Sequence, residues 1–370
     1  MLDSITLKFT QNDDLTLPAA GITIFVGPNN SGKSLLLREI ELAFEVHPFP
    51  NNLLILRDYE IKWPDIEVVK ASLTKYESLQ HSSTPAEHVV VGRINPNGGR
   101  DGLNIYLPSL FDIAAKKSDK RWWATQFMRW NVLRLDGRSR FNLTSDQSGG
   151  DLLALPHNML SHLFQNDAAR KKVRSLIKDA FGLNFVIDPT NLGQLRIRLS
   201  KETPPIDEQS LNEEARRFYK NATHVKDASD GVQAFTGIVT AVMSGDFDTV
   251  LIDEPEAFLH PPLARKLGKH LATIVTERGG ALLASTHSPD FLMGCVQATK
   301  EVRVVRLEYT EGKSRGRMVD PIQLEKLFKN PLMRSTNAIS GLFYDGVVVT
   351  ESDNDRAFYG EIYHRLTITH

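Results

Sequence analysis

Cysteine is almost absent from this chain: 370 residues contain one, Cys295. A single thiol excludes an internal disulfide and a cysteine-rich zinc site, and it fits a reducing compartment. Long hydrophobic runs are also missing, so no stretch has the apolar length needed to span a bilayer. Residues 1–9 lack a basic leader and a continuous apolar block, so no secretory signal is expected and the expected location is the cytoplasm. Neither sign of charge is in surplus. Lys and Arg number 44 against 45 Asp and Glu, a net charge of −1, so no global basic field advertises nucleic acid and such binding has to come from local patches. Repeats and low-complexity tracts are lacking too. What remains is globular material, 41% hydrophobic and 24% charged, in a chain long enough for a large core and two or three domains.

The most informative stretch is Gly27-Pro28-Asn29-Asn30-Ser31-Gly32-Lys33-Ser34, which reads G-x-x-x-x-G-K-S. A short β-branched run at 22–26 precedes it, as a buried strand should. Leu35, Leu36, Leu37, Ile40, Leu42 and Phe44 follow at the spacing of a helix with an apolar face. Strand, glycine-rich turn and helix are the context of a phosphate-binding loop. Its glycines let backbone N–H groups close around phosphate oxygens, and the new helix aims its positive end at the same anion. Gly27, Asn29, Asn30, Ser31, Gly32, Lys33 and Ser34 are therefore the expected nucleotide contacts. Lys33 is expected to reach the β- and γ-phosphates and Ser34 to hold Mg²⁺.

Ile5, Leu7 and Phe9 alternate with polar residues, a polar turn follows at 11–14, and Leu15 and Leu17 resume the alternation, which predicts a hairpin. In the next stretch, 47–52 reads as a loop, 89–91 and 103–107 as strands around a turn at 95–99, and 132–135 as another strand. Basic and aromatic residues interleave from Lys116 to Trp130. That pattern occurs in single-strand nucleic-acid grooves, but an amphipathic helix with its tryptophans on the core is the favoured reading. Residues 152–181 read as helical, with a solvated basic face at 168–174 and Gly182 as C-cap. Residues 185–187 and 195–199 read as a hairpin, and 201–221 as a mobile polar connection. Ser229 is placed to cap a helix carrying Val232, Phe235, Ile238, Val239 and Val242 on one side.

Further on, the apolar strand 249–252 ends in Asp253-Glu254-Pro255-Glu256. Acids at a strand tip suit magnesium and water: Asp253 is expected to orient Mg²⁺, and Glu254 to polarise the water attacking a γ-phosphate. A third strand, 281–285, leads to Thr286-His287-Ser288-Pro289, where His287 is placed to touch that phosphate.

These motifs, in this order, resemble the ABC-type ATPases of the SMC, Rad and OLD branch. The Walker A motif matches fully. Asp253 to Glu256, continuing to Leu259-His260-Pro261, looks like the branch's Walker B motif and D-loop. His287 matches its switch histidine. Ser229-Asp230-Gly231 is similar to the signature motif, with Asp where the second position is usually Gly, and Gln147, then Gln126, are candidates for the Q-loop. Transporter ATPases share the motifs but lack the 259–261 continuation and need membrane partners, so they rank low. The resemblance implies an α/β fold: an ABC-type P-loop ATPase with a mixed central sheet, an antiparallel β subdomain and an inserted helical region. The ATPase domain would cover 1–345, its nucleotide core coming from 1–45 and 225–320 and its insertion from 46–224.

Near the C-terminus, 346–350 is an apolar run ending in Glu351, with Asp355 four residues on. It looks like the first strand of a TOPRIM domain, with Ser352 where Gly is usual, and Glu351 and Asp355 match that domain's magnesium-binding acids. Residues 346–370 are thus expected to begin such a domain. An ATPase running into TOPRIM is the OLD layout. That resemblance implies ATP and Mg²⁺ as cofactors, a homodimer or higher homo-oligomer with Ser229 and Gly231 facing a partner's nucleotide, DNA as a partner, and control of a DNA-cleaving nuclease in anti-phage defence. Two other readings remain open: a RecF-like or SMC-like DNA-binding repair ATPase without nuclease activity, and a sensor ATPase that controls a toxin or nucleoprotein partner.

Overall fold

The computed structural model describes residues 1–80, 83–96, 98–137, 140–245, 247–320, 338–344 and 346–368. Its centre is a six-stranded sheet in the order Lys313–Met318, Val302–Thr310, Gly21–Val26, Ala281–Ser285, Thr249–Asp253, Val132–Leu135. Neighbours run parallel except in the outer hairpin of 302–310 with 313–318, so the sheet is mixed, as expected. Side chains alternate across it with a period of two. Ile22, Ile24, Val250, Ile252, Leu282 and Ala284 enter one apolar cluster. Phe25, Leu251, Leu283 and Val132 enter the other. Both faces are covered, which is why these strands read as continuous apolar runs.

The helix Lys33–Glu45 covers the second face with Leu36, Leu37, Ile40 and Phe44. Each such side chain contributes about 1.5–3 kcal/mol by leaving water. Helices Asp230–Met243, Pro261–Glu277 and Pro289–Ala298 cover the first. A smaller antiparallel sheet joins Leu2–Leu7 to Leu15–Pro18, the predicted hairpin, and to Leu56–Ile61. The last strand was not anticipated. Buried Glu39 anchors its start, accepting from the backbone N–H groups of Leu54, Ile55 and Leu56 at 2.5, 2.9 and 2.8 Å.

In the insertion, His88–Ile94 pairs with Arg100–Tyr106 as expected, but Leu107 opens a helix, Leu107–Lys116, rather than ending a strand. Basic-aromatic residues form the helix Lys120–Gln126, with Trp123 and the following Trp130 buried in the core. Arg121 stacks 3.7 Å from the Phe49 ring centre and pairs with Asp58 at 2.5 Å. The aromatics of this stretch are thus used inside the fold. Asn184–Asn191 and Gln194–Ser200 form the second predicted hairpin.

Four expectations need correction. The helical segment after 152 starts only at Met159, because Asn158 and Ser161 close a reciprocal capping box there. Its basic face is not wholly solvated. Arg170 is buried and pairs with Asp167 at 2.6 Å and Glu208 at 3.1 Å. The connection at 201–221 is not irregular throughout: Glu213–Asn221 is a helix whose Phe218 and Tyr219 are buried, and the Tyr219 hydroxyl donates to the Glu208 carbonyl at 2.5 Å, with the Ile187 carbonyl 3.1 Å away. Finally, 346–350 is not a strand. Val347, Val348 and Val349 are 60%, 77% and 89% exposed, and among the described residues no strand pairs with them. Strand propensity alone cannot hold a ladder that lacks a neighbour. The helix Asp353–Ile368 follows.

Candidate nucleotide site at the edge of the sheet

Parallel strands bring their C-terminal ends to one edge, where open α/β sheets place their ligands. In the register, Asp253 lies opposite Ser285, and Ser285 opposite Phe25. Three loops that are distant in sequence therefore leave the sheet side by side: 27–32, 254–260 and 286–288.

The first loop turns back through left-handed backbone at Gly27 (φ 142), Asn30 (φ 60) and Gly32 (φ 93). A Cβ at Gly27 would come 2.1 Å from the Leu307 carbonyl oxygen, so only glycine fits there. Asn29 and Asn30 are exposed at the tip and Ser31 is buried. Lys33 opens the helix, and its Nζ donates to the carbonyls of Gly27 at 3.0 Å and Pro28 at 2.7 Å, and to Ser31 Oγ at 3.2 Å. Burial lowers the Lys33 pKa, while the carboxylates of Glu254, Asp253 and Glu256 pull it up. The next residue, Ser34, donates from Oγ to Asp253 Oδ1 at 2.9 Å across 219 positions of chain. Ser285 Oγ also donates to that carboxylate.

Beyond Asp253 the chain turns sharply, with Glu254 at φ 48 and Phe258 at φ 69. Glu254 N–H donates to the Ser285 carbonyl at 2.9 Å, which ties the turn to the neighbouring strand. His287 Nε2 stands 3.8 Å from Glu254 Oε1, and its backbone N–H donates to Glu256 Oε1 at 2.7 Å. Glu256 is half-buried, and desolvation of its carboxylate pushes its pKa up. His287 has its pKa lowered by burial first and by Lys33 second, against the pull of Glu254 and Asp253.

The structure thus brings Lys33, Ser34, Asp253, Glu254 and His287 into one cluster. The hydroxyl of Ser34 and the carboxylate of Asp253 are hard oxygen ligands of the kind magnesium takes, and Lys33 is a cation beside them, so the donor set fits a magnesium-bound polyphosphate. Beside the loop lies a groove of about 940 Å³ lined by Asn29, Asn30, His287, Arg306, Tyr309 and Tyr344, among others, within the usual size of ligand clefts.

Other expected residues make contacts of their own. Ser229 occupies the N-cap position of its helix, but its side chain makes no capping hydrogen bond; Gln233 Nε2 donates to the Ala228 carbonyl at 2.9 Å instead. Gly231 sits against the turn after Walker B, where a Cβ would meet the Phe258 carbonyl oxygen at 2.8 Å. Gln147 Oε1 accepts from Leu160 N–H at 3.0 Å, which occupies it at the start of the Met159–Gln165 helix. Gln126 ends the Lys120–Gln126 helix, its carbonyl accepting from Trp130 Nε1 at 2.8 Å. Glu351 is exposed ahead of the C-terminal helix, and Asp355 accepts from Ser352 Oγ at 2.8 Å in its first turn. Among the described residues no group of three or more His, Cys, Asp or Glu side chains is arranged to hold a metal ion. Among them, too, no helix is long and apolar enough to cross a membrane.

One residue packed against the site escaped the sequence reading. Arg140, fully buried, donates to the carbonyls of Asp253, Glu254 and, at 3.3 Å, Ala257. The only available signal was its position just after the core strand Val132–Leu135, whose C-terminal end meets the same edge.

Fold and cluster together define an α/β P-loop ATPase domain. The profile of the family described as "AAA domain, putative AbiEii toxin, Type IV TA system" matches residues 98–293, and the chain belongs to that family. No curated protein matches it. Among solved structures it is similar to an Smc head bound to the C-winged helix domain of ScpA (14% identity, 88% of this chain and 99% of that one, TM-score 0.47). It is also similar to the SMC head domain from Thermotoga maritima (13% identity, 86% and 99%, TM-score 0.42).

Proposed function

We propose that this chain is an ABC-type ATP hydrolase that pairs head to tail with a second copy and uses the ATP cycle to control an effector. The observation that carries the reading is the 2.9 Å contact between Ser34 and Asp253, which joins the P-loop to a strand tip far along the chain. Lys33 binds the phosphates, and Ser34 and Asp253 hold Mg²⁺. When bound, the metal neutralises phosphate charge and orients the γ-phosphate. Glu254, 49% exposed, accepts a proton from the attacking water, and His287 beside it contacts the γ-phosphate as a neutral donor. The groove beside Asn29, Asn30 and His287 leaves this side of the loop open to the Ser229–Gly231 helix start of a second copy. Lys33→Ala tests the reading: in isothermal titration with Mg²⁺ and ATP the variant loses binding, whereas wild-type affinity in that variant would refute it.

The effector we favour is an OLD-type TOPRIM nuclease acting on DNA in cytoplasmic anti-phage defence, with Glu351 and Asp355 as magnesium ligands. Support comes from the order of the motifs and from acids exposed ahead of the C-terminal helix and in its first turn. A toxin partner held by a sensor ATPase is the second reading, favoured by the family description. Magnesium-dependent nicking of supercoiled DNA by the full-length protein, lost in Glu351→Ala, is the outcome expected of the first. A tightly co-purifying toxin with no nicking is the outcome expected of the second.

A further inference from the structure

Behind the Walker B turn lies a charge that the hydrolytic scheme does not use. Arg140 has no accessible surface, and among the described residues no carboxylate pairs with it. Its guanidinium is met by backbone carbonyls: those of Asp253 and Glu254 on Nη2 and that of Ala257 on Nη1. Burying a guanidinium without a paired carboxylate is costly, and an apolar side chain of similar size would fill the space more cheaply. Burial lowers its pKa, partly offset by the field of Glu256, Glu254 and Asp253.

What the arginine holds is specific. Asp253 and Glu254 are the metal-orienting and water-polarising acids, and Glu254 stands in left-handed backbone, φ 48, which a non-glycine residue adopts only when its surroundings impose it. Three carbonyls drawn to one planar cation fix the peptide planes on both sides of Glu254, and hence the direction of its Cα–Cβ bond. The same short segment, Arg140–Thr144, continues in two directions. Phe141 packs edge-on against Phe258 at 5.0 Å between ring centres. The Arg140 carbonyl and Leu143 face Gly237 of the Asp230–Met243 helix so closely that a Cβ there would meet them at 3.0 and 2.9 Å.

We propose that Arg140 is a positioning residue for hydrolysis: its guanidinium sets the backbone of the Walker B turn so that Asp253 and Glu254 face the P-loop, and its segment couples that turn to the helix that starts at Ser229. This rests on the ATPase reading above. Arg140 touches no substrate and acts through the two acids.

The test compares Arg140→Met and Arg140→Lys with the wild-type full chain, measuring kcat and KM for ATP hydrolysis, affinity for a fluorescent ATP analogue, and thermal melting. Arg140→Met is expected to bind the analogue as wild type does while kcat falls about a hundredfold, the size of effect an ångström of misplacement produces. Arg140→Lys, which reaches fewer carbonyls, is expected to fall between the two. A folded Arg140→Met with wild-type kcat overturns the proposal, as does an affinity loss that parallels the loss of kcat. Should Arg140→Met not fold, the lysine variant decides: a lowered kcat at unchanged affinity supports the role, and an unchanged kcat overturns it. Wild-type protein that turns over no ATP defeats the ATPase reading itself; active wild type with an equally active Arg140→Met defeats this inference alone.

Discussion

His287 is 33% exposed, 3.8 Å from the Glu254 carboxylate and within the field of the Lys33 ammonium, and its lowered pKa has a definite sign in stability. Above the unfolded pKa of about 6.5 the ring is neutral in both states and contributes nothing to pH dependence. As pH falls through that value the unfolded chain takes up a proton that the folded chain refuses, so stability drops. Chemical denaturation of wild type and His287→Gln between pH 5 and 8 is expected to show wild type losing stability relative to the variant below about pH 6.5. Parallel curves would show that the ring is not held neutral. At this scale the Walker residues were legible because their spacing encodes a mechanism: Gly-Lys-Ser at a helix start and Asp-Glu at a strand tip have few other uses. Arg140 was not legible, because a buried arginine that binds carbonyls carries the same letter as a surface one. Glu39, capping three backbone N–H groups from within a helix, was hidden for the same reason.

Elements were readable wherever both faces are buried or one face alternates. The apolar runs at 21–26, 249–253 and 281–285 appear as neighbouring strands. The strand Leu56–Ile61 and the helix Glu213–Asn221 were missed because their polar residues dominate locally and tertiary contacts decide the outcome, and the helix Ile66–Leu73 because eight residues are too short to show a period. The helix Asp230–Met243 shows how little slack such contacts leave. Its Gly231 approaches the Phe258 carbonyl so closely that a methyl group would sit 2.8 Å from the oxygen, against a turn already in left-handed backbone at φ 69. Gly231→Ala is expected to destabilise the protein by about 1–3 kcal/mol, the range for overpacking a tight contact. A denaturation midpoint equal to that of wild type would show that the helix and the turn separate easily.

On the scale of the molecule, the sheet presents its P-loop, Walker B and histidine loops on one edge, and Gly231 packs against the Phe258 carbonyl in the second of them. Under the proposed function, two copies turned head to tail would bring the Ser229 helix start of one to the Lys33 cluster of the other. The mixed sheet and its covering helices were foreseeable from motif order. The C-terminal segment was not, because the three valines at 347–349 carry the strand signal but lie exposed without a partner strand.

The most direct test of the central claim is light scattering on Glu254→Gln with and without Mg²⁺ and ATP. If ATP is gripped between the P-loop and the Walker B acids and Glu254 drives its hydrolysis, the variant retains the nucleotide and its mass rises from that of one 41.5 kDa chain to that of two. A mass unmoved by ATP, in a variant that still binds it, would contradict the account.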